Sequence, residues 1–187
     1  KFIQKKRPQD LILAVGLLRN LDQKRPYHIL FVGAGELGES LRSMSYVVFD
    51  EEFDSAIPRA GSTDDPVSSF AGFMNQTQLP QAYAAADMLV LPSESETWGL
   101  VINEAMASGL PCIASDACGA AEDLVKPIDD KLVYKKGNII DLSQSIAYLA
   151  NYPPDATTLS QQITKYSFGA TVESMERMWR EISYPKY

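Results

Sequence analysis

The sequence predicts an α/β domain of Rossmann-like, three-layer α/β/α architecture built on a mostly parallel sheet. Three observations carry that prediction. Short apolar runs alternate with helix-length segments. A G-x-G-x-x-G loop stands directly between an apolar run and a helical stretch. A chain of 187 residues, 45% hydrophobic and 22% charged, suffices for one ordinary buried core.

The elements follow in order. Pro8 suits the first turn of a helix over residues 10–21. Strand-like runs are read at residues 27–32, 46–49, 67–73, 88–91, 111–114 and 131–134, with helical patterns between most of them. Asn138 and Asp141 suit the start of a helix through residue 150, and residues 156–166 and 169–182 read as two closing helices. Phe2 and Ile3 look strand-like ahead of the first helix. The acidic stretch 50–65, holding Pro58 and Gly61, interrupts the alternation as a surface insertion without a functional reading.

Several function classes are excluded at this level. The longest apolar runs fall well short of the roughly 20 residues of a membrane span. A net charge of −7 argues against nucleic acid as the main partner, apart from a local basic cluster at Lys1, Lys5, Lys6 and Arg7. Cys112 and Cys118 lack metal-ligand spacing, so no metal centre is expected and a reducing, cytoplasmic setting is the simplest fit. The single histidine, His28, reads as an ordinary strand-edge residue. The chain opens on Lys1 with basic residues and no apolar core behind them. It therefore reads as lacking a signal peptide, and as a fragment.

Two stretches carry chemistry. In FVGAGELGES the glycines Gly33, Gly35 and Gly38 match a dinucleotide fingerprint, and Asp50 nearly supplies the acid expected about 20 residues on. Against this, a whole helix precedes the loop, and glycines there serve a tight strand-to-helix turn equally well. The denser stretch is residues 89–119: strand, short polar loop, helix, a stop at Gly109 and Pro111, then another strand. Glu96 lies in the loop. Glu104, about one turn into the helix, leans back towards the helix amino terminus.

The amides around Trp98 to Val101 favour an anion, and Gly99 lets it come close. Two carboxylates beside an anion are tolerable when they accept hydrogen bonds from neutral hydroxyls. A diphosphate flanked by polyhydroxyl rings, that is a nucleotide sugar, meets both demands. The plainer alternative stays open from spacing alone: Glu104 as a solvated helix residue beside Asn103 and Ser108, Glu96 as an acid near a helix start, and Trp98 and Met106 as core.

PSESETWGLVINEAMASGLPCIASD closely resembles the E-x7-E region of retaining glycosyltransferases of the GT-B fold, in family 4. KFIQKKRPQDLILAV is similar to that family's basic segment and first helix, FVGAGELGESL to its G-x-G loop, and AGFMNQTQLPQAYAAADMLVLPS to its base-binding loop and following strand. The resemblance covers nearly all of residues 1–125 and implies the C-terminal half of a GT-B fold, a nucleotide-sugar donor domain spanning 1–187.

The resemblance also implies roles. Glu104 would hold the ribose hydroxyls and Glu96 a hydroxyl of the donor sugar. Lys1 and Lys6 would neutralise the diphosphate, Lys1 standing where many relatives carry Arg. Gly72, Phe73, Met74 and Asn75 would face the base. The amides of Trp98, Gly99 and Leu100 would meet phosphate or sugar, and Gly33 and Gly35 would form the close-approach turn at the nucleotide edge. No metal and no cofactor beyond the UDP-, GDP- or ADP-linked donor are implied, since cations and a helix end do the neutralising. An N-terminal acceptor-binding domain is the implied partner, and any membrane association would reside there. The rivals are a nicotinamide-dependent oxidoreductase using Gly33, Gly35, Gly38 and Asp50, and a non-catalytic module of the same fold.

Overall fold

A computed structural model describes residues 1–21, 25–53 and 64–183. Its elements run α1 (Gln9–Leu21), β1 (His28–Phe31), α2 (Gly38–Ser43), β2 (Tyr46–Asp50), β3 (Val67–Phe70), α3 (Leu79–Ala85), β4 (Leu89–Leu91) and α4 (Leu100–Ala107). They continue through β5 (Cys112–Ser115), β6 (Val133–Tyr134), α5 (Ile139–Asn151), α6 (Ala156–Thr164) and α7 (Phe168–Ser183). Every strand pair is parallel, as expected for strands joined by helical crossovers.

The strands form two three-stranded sheets, ordered β1-β3-β2 and β4-β5-β6, rather than one. Helices flank them in two layers. α1 packs on α5, while α4 packs on α6 and is tied to α3 by a side-chain bond from Tyr83 to Glu104. β5 is buried along its whole length, as a strand covered on both faces must be. Its Ile113 packs in a core with Ile102, Leu124 and Leu142. In the other half Phe2, Phe31 and Phe70 form an aromatic cluster, Phe31 stacking on Phe70 at 4.9 Å between centroids.

Local chemistry sets the boundaries. The amide of α1's Asp10 donates to the carbonyl of Arg7, and the carboxylate of Asp10 is buried against the Arg7 guanidinium through two bonds of 2.8 and 3.2 Å. Asn138 caps α5 by accepting from the amides of Ile140 and Asp141, and Asp155 caps α6 through the amide of Thr158. The expected strand at 67–73 stops at Phe70, because Gly72 turns the chain into left-handed conformation at φ 63°. The expected strand at 131–134 shrinks to Val133–Tyr134, since Asp129 caps a short 3-10 turn over Asp130–Leu132. Phe2 and Ile3 are not a strand but lead into a 3-10 turn at Gln4–Lys6. A π-turn at Ala121–Val125 carried no signal in the periodicity.

Of the acidic stretch 50–65, Asp50 ends β2 and Glu51–Phe53 form a 3-10 turn, while residues 54–63 lie outside the described residues. α7 buries none of its residues. It leaves Phe168, Val172, Met175, Trp179 and Ile182 exposed at helical spacing. None of the described helices is long and apolar enough to cross a membrane.

Candidate functional site

The loops that follow the strands at their carboxyl ends gather the sequence-flagged residues. The loop after β1 and the loop after β3 meet directly, the amide of Gly33 donating to the carbonyl of Gly72 at 2.6 Å. Gly33 (φ 119°) and Gly72 adopt conformations that favour glycine. Gly35 is required to be glycine by the chain itself. A Cβ there would come within 2.5 Å of the Phe2 carbonyl oxygen, so its neighbour is the chain's own backbone. Phe2 runs beside this loop, its amide donating to Ala34 and its carbonyl accepting from Leu37.

In the loop after β3, Phe73 is exposed and Met74 half-buried. The side chain of Asn75 is spent on local structure: its oxygen accepts from the amides of Thr77 and Gln78 and from the Thr77 hydroxyl, shaping the turn into α3. Its backbone is engaged in the same turn, the amide donating to the Gln78 side-chain oxygen and the carbonyl accepting from the amides of Gln78 and Leu79.

The loop between β4 and α4 is anchored from both ends. The amide of Glu94 donates to the carbonyl of Lys5, and that of Glu96 to Ala117. The loop after β5 returns along it, Gly119 and Ala120 donating to the carbonyls of Glu96 and Trp98. Gly99 caps α4 in left-handed conformation (φ 104°), and a Cβ there would press on Leu91 at 3.1 Å. The first amides of an α-helix have no i−4 acceptor within it, and at α4 that of Ile102 turns to the carbonyl of Gly99. The side chain of Trp98 is engaged locally: its indole donates to Asn103 at 2.7 Å and its ring meets Tyr166 at 5.9 Å.

Each of the two acids has a partner. Glu96, half-buried, accepts from the ammonium of Lys6. Glu104, exposed, accepts from the Tyr83 hydroxyl at 2.8 Å. Burial, followed by the bond to Glu104, pushes the Tyr83 phenol well above its ordinary range, so it stays a neutral donor at any physiological pH. Burial also pushes the Lys6 ammonium down, with Lys5 and Lys1 acting in the same direction. Lys1, Lys6 and Tyr83 all line one cavity of about 660 Å³, so the partners of both acids border the same space.

Tyr83 is the residue that sequence reading missed. Its only signal was an aromatic residue on a helix of unknown facing. Asp50, the acid a nicotinamide site would need, is consumed: the Arg42 guanidinium holds it through bonds of 2.6 and 3.1 Å, and its Oδ1 also accepts from the amide of Glu52. His28 bonds the Ser69 hydroxyl at the start of β1, and Cys112 and Cys118 are buried free thiols. Among the described residues no cluster suited to a metal ion occurs.

Known proteins resemble this chain in sequence and in fold. Residues 65–166 match the family model of glycosyl transferases group 1. Sulfoquinovosyl transferase SQD2 of Arabidopsis thaliana is 34% identical over 67% of this chain and 22% of its own length. Sucrose-phosphate synthase of Thermosynechococcus elongatus superposes with a TM-score of 0.70 at 22% identity, covering 100% of this chain and 44% of that one. HepE of Anabaena, solved in complex with UDP, superposes at 0.61 with 23% identity, covering 95% of this chain and 47% of that one. The chain thus spans less than half the length of each. Its parallel strands, flanking helices and converging carboxyl-end loops are those of a GT-B, Rossmann-like domain, and the chain belongs to the glycosyl transferases group 1 family.

Proposed function

We propose that this domain binds the nucleotide-diphospho-sugar donor of a retaining hexosyltransferase. Glu104 accepts the ribose hydroxyls, Glu96 a hydroxyl of the sugar, and Lys1, Lys6 and the α4 amides take the diphosphate. The observation that carries this reading is the pairing of Glu104 with a neutral phenol and of Glu96 with a cation, both partners bordering one cavity beside the α4 amino terminus. A carboxylate oriented by a neutral hydroxyl keeps acceptor capacity for a diol. A lysine already bound to an acid can turn to a phosphate when the acid takes a sugar hydroxyl.

The base is met at the loop of residues 72–75 and the leaving diphosphate is stabilised by cations and amides. No metal is then required for neutralisation. The nicotinamide reading is the weaker one, because Asp50 would have to abandon a bidentate guanidinium.

Titration calorimetry with UDP, GDP and ADP tests the proposal. One of the three binds, and Glu104→Ala weakens it by about 1.5–3 kcal/mol, roughly ten- to a hundred-fold, the worth of hydrogen bonds to a charged acceptor. Unchanged nucleotide affinity in Glu104→Ala, or stabilisation by NADH and none by the three diphosphates, overturns it.

A further inference from the structure

Three consecutive acids stand at the end of β2, Asp50, Glu51 and Glu52, and they are not equivalent. The guanidinium of Arg42 holds the two outer ones, Asp50 at 2.6 Å and Glu52 at 2.7 Å. Glu51 between them is exposed, and among the described residues it has no hydrogen-bond or ion-pair partner.

The sheet sets its place. β3 lies between β1 and β2, so the loop after β3 has the loop after β1 on one side and the end of β2 on the other. Gly33 closes the first side through the carbonyl of Gly72. In parallel register Asp50 stands opposite Phe70, which brings Glu51 level with the residues that follow β3. There its carboxylate lies against Gly72: a Cβ at that glycine would overlap Oε2 of Glu51. Gly72 is therefore glycine both for its left-handed φ of 63° and for the space the carboxylate takes.

The loop after β3 offers little of its own with which to choose a base. Gly72 has no side chain, Phe73 and Met74 are apolar, and Asn75 spends its side-chain oxygen on Thr77 and Gln78. An exposed aromatic ring such as that of Phe73 stacks on every base alike and so does not select. Selection falls to hydrogen bonds at the base edge. A carboxylate only accepts, so it suits an edge with two adjacent donors. Guanine has such an edge, with N1–H and the N2 amino group side by side. Uracil sets N3–H between two carbonyl oxygens, and adenine sets its N6 amino group beside the N1 lone pair. Each of those brings an acceptor against the charge.

We propose that Glu51 selects guanine as the base of the donor, an inference that rests on the donor-site reading above. Its two oxygens accept from N1–H and from the N2 amino group of a base seated at the Gly72 loop, a bidentate, charge-assisted pairing. The acidic end of β2 is then a specificity element. Arg42 neutralises Asp50 and Glu52 and leaves Glu51 to the ligand.

Titration calorimetry on the full-length protein with GDP, UDP, ADP and inosine diphosphate tests this. The natural protein should prefer GDP to UDP and ADP by about tenfold or more, the worth of one bidentate base contact. It should also prefer GDP to inosine diphosphate, which lacks only the N2 amino group. Glu51→Gln, nearly the same in shape, offers one acceptor and one donor in place of two acceptors. It should weaken GDP by about tenfold or more, leave UDP and ADP within about twofold, and erase the gap between GDP and inosine diphosphate. Equal weakening of all four diphosphates would mark Glu51 as a brace of the loop and overturns the proposal. So does a natural protein that takes UDP or ADP more tightly than GDP, or a GDP affinity that Glu51→Gln leaves unmoved. In these cases a diphosphate still binds and Glu104→Ala still weakens it, so the donor-site reading stands. Binding of none of the four removes both.

Discussion

At the scale of single residues, buried charge decides most. Asp10 is 1% exposed and depends on Arg7, which holds left-handed conformation at φ 47° to reach it. Removing the guanidinium strands a buried carboxylate, and breaking such pairs costs 3–5 kcal/mol when both partners are buried. Arg7 is partly solvated, so we expect Arg7→Met to cost about 2–3 kcal/mol, read as a lowered urea midpoint at unchanged slope. Asp129 supplies a pH effect. The Tyr148 hydroxyl, then the amide of Lys131, holds its carboxyl below the usual range. Because the folded value lies below the unfolded one, the stabilisation is complete above about pH 4 and is lost as pH falls through the folded value. Acid titrations should show the natural protein losing its advantage over Asp129→Asn as the pH falls below about 4; parallel curves would exclude the linkage. None of these partnerships is legible in the sequence: Asp129 and Tyr148 stand 19 positions apart, on different elements.

Among elements, the unit β4, α4, β5 was the most readable. Its apolar runs, its glycine stop and its polar loop all fall within one window, and local chemistry places them. Less legible was what braces it. Gly119, unremarked in the sequence, donates to Glu96, and a Cβ there would overlap the carbonyl oxygen of Thr97. Backbone has nowhere to yield except by moving the loop that bears Glu96 and leads into α4. Gly119→Ala should therefore lower the melting temperature and weaken nucleotide binding together, whereas Gly109→Ala, with open space about its Cβ, should lower stability alone through its left-handed φ of 80°. Equal nucleotide affinity in the two variants would show that the loop is not positioned by this contact. Tyr83 teaches the same lesson, since helical periodicity gives a facing only relative to neighbours not yet known.

For the whole molecule, the decisive quantity is how much of a closed cleft one domain can supply. On the proposed reading the described residues supply amides, two acids and two cations to the donor, and placing the acceptor is left to other polypeptide. We expect it to bind nucleotide yet transfer sugar far more slowly than the full-length protein, because in-line placement of the acceptor supplies much of the rate. Comparable turnover by the two in a radiolabelled-sugar assay would contradict this.

The sequence by itself determined the α/β alternation, the parallel strands and the window in which the chemistry is concentrated, because these follow from local periodicity, turn residues and motif spacing. Only the tertiary structure decided which hydroxyl orients Glu104, that Asp50 is bound by arginine, that Gly35 makes room for Phe2, and that the strands divide into two sheets. Those are meetings between residues far apart in the chain. Their energies belong to burial and register, which no short stretch of sequence contains.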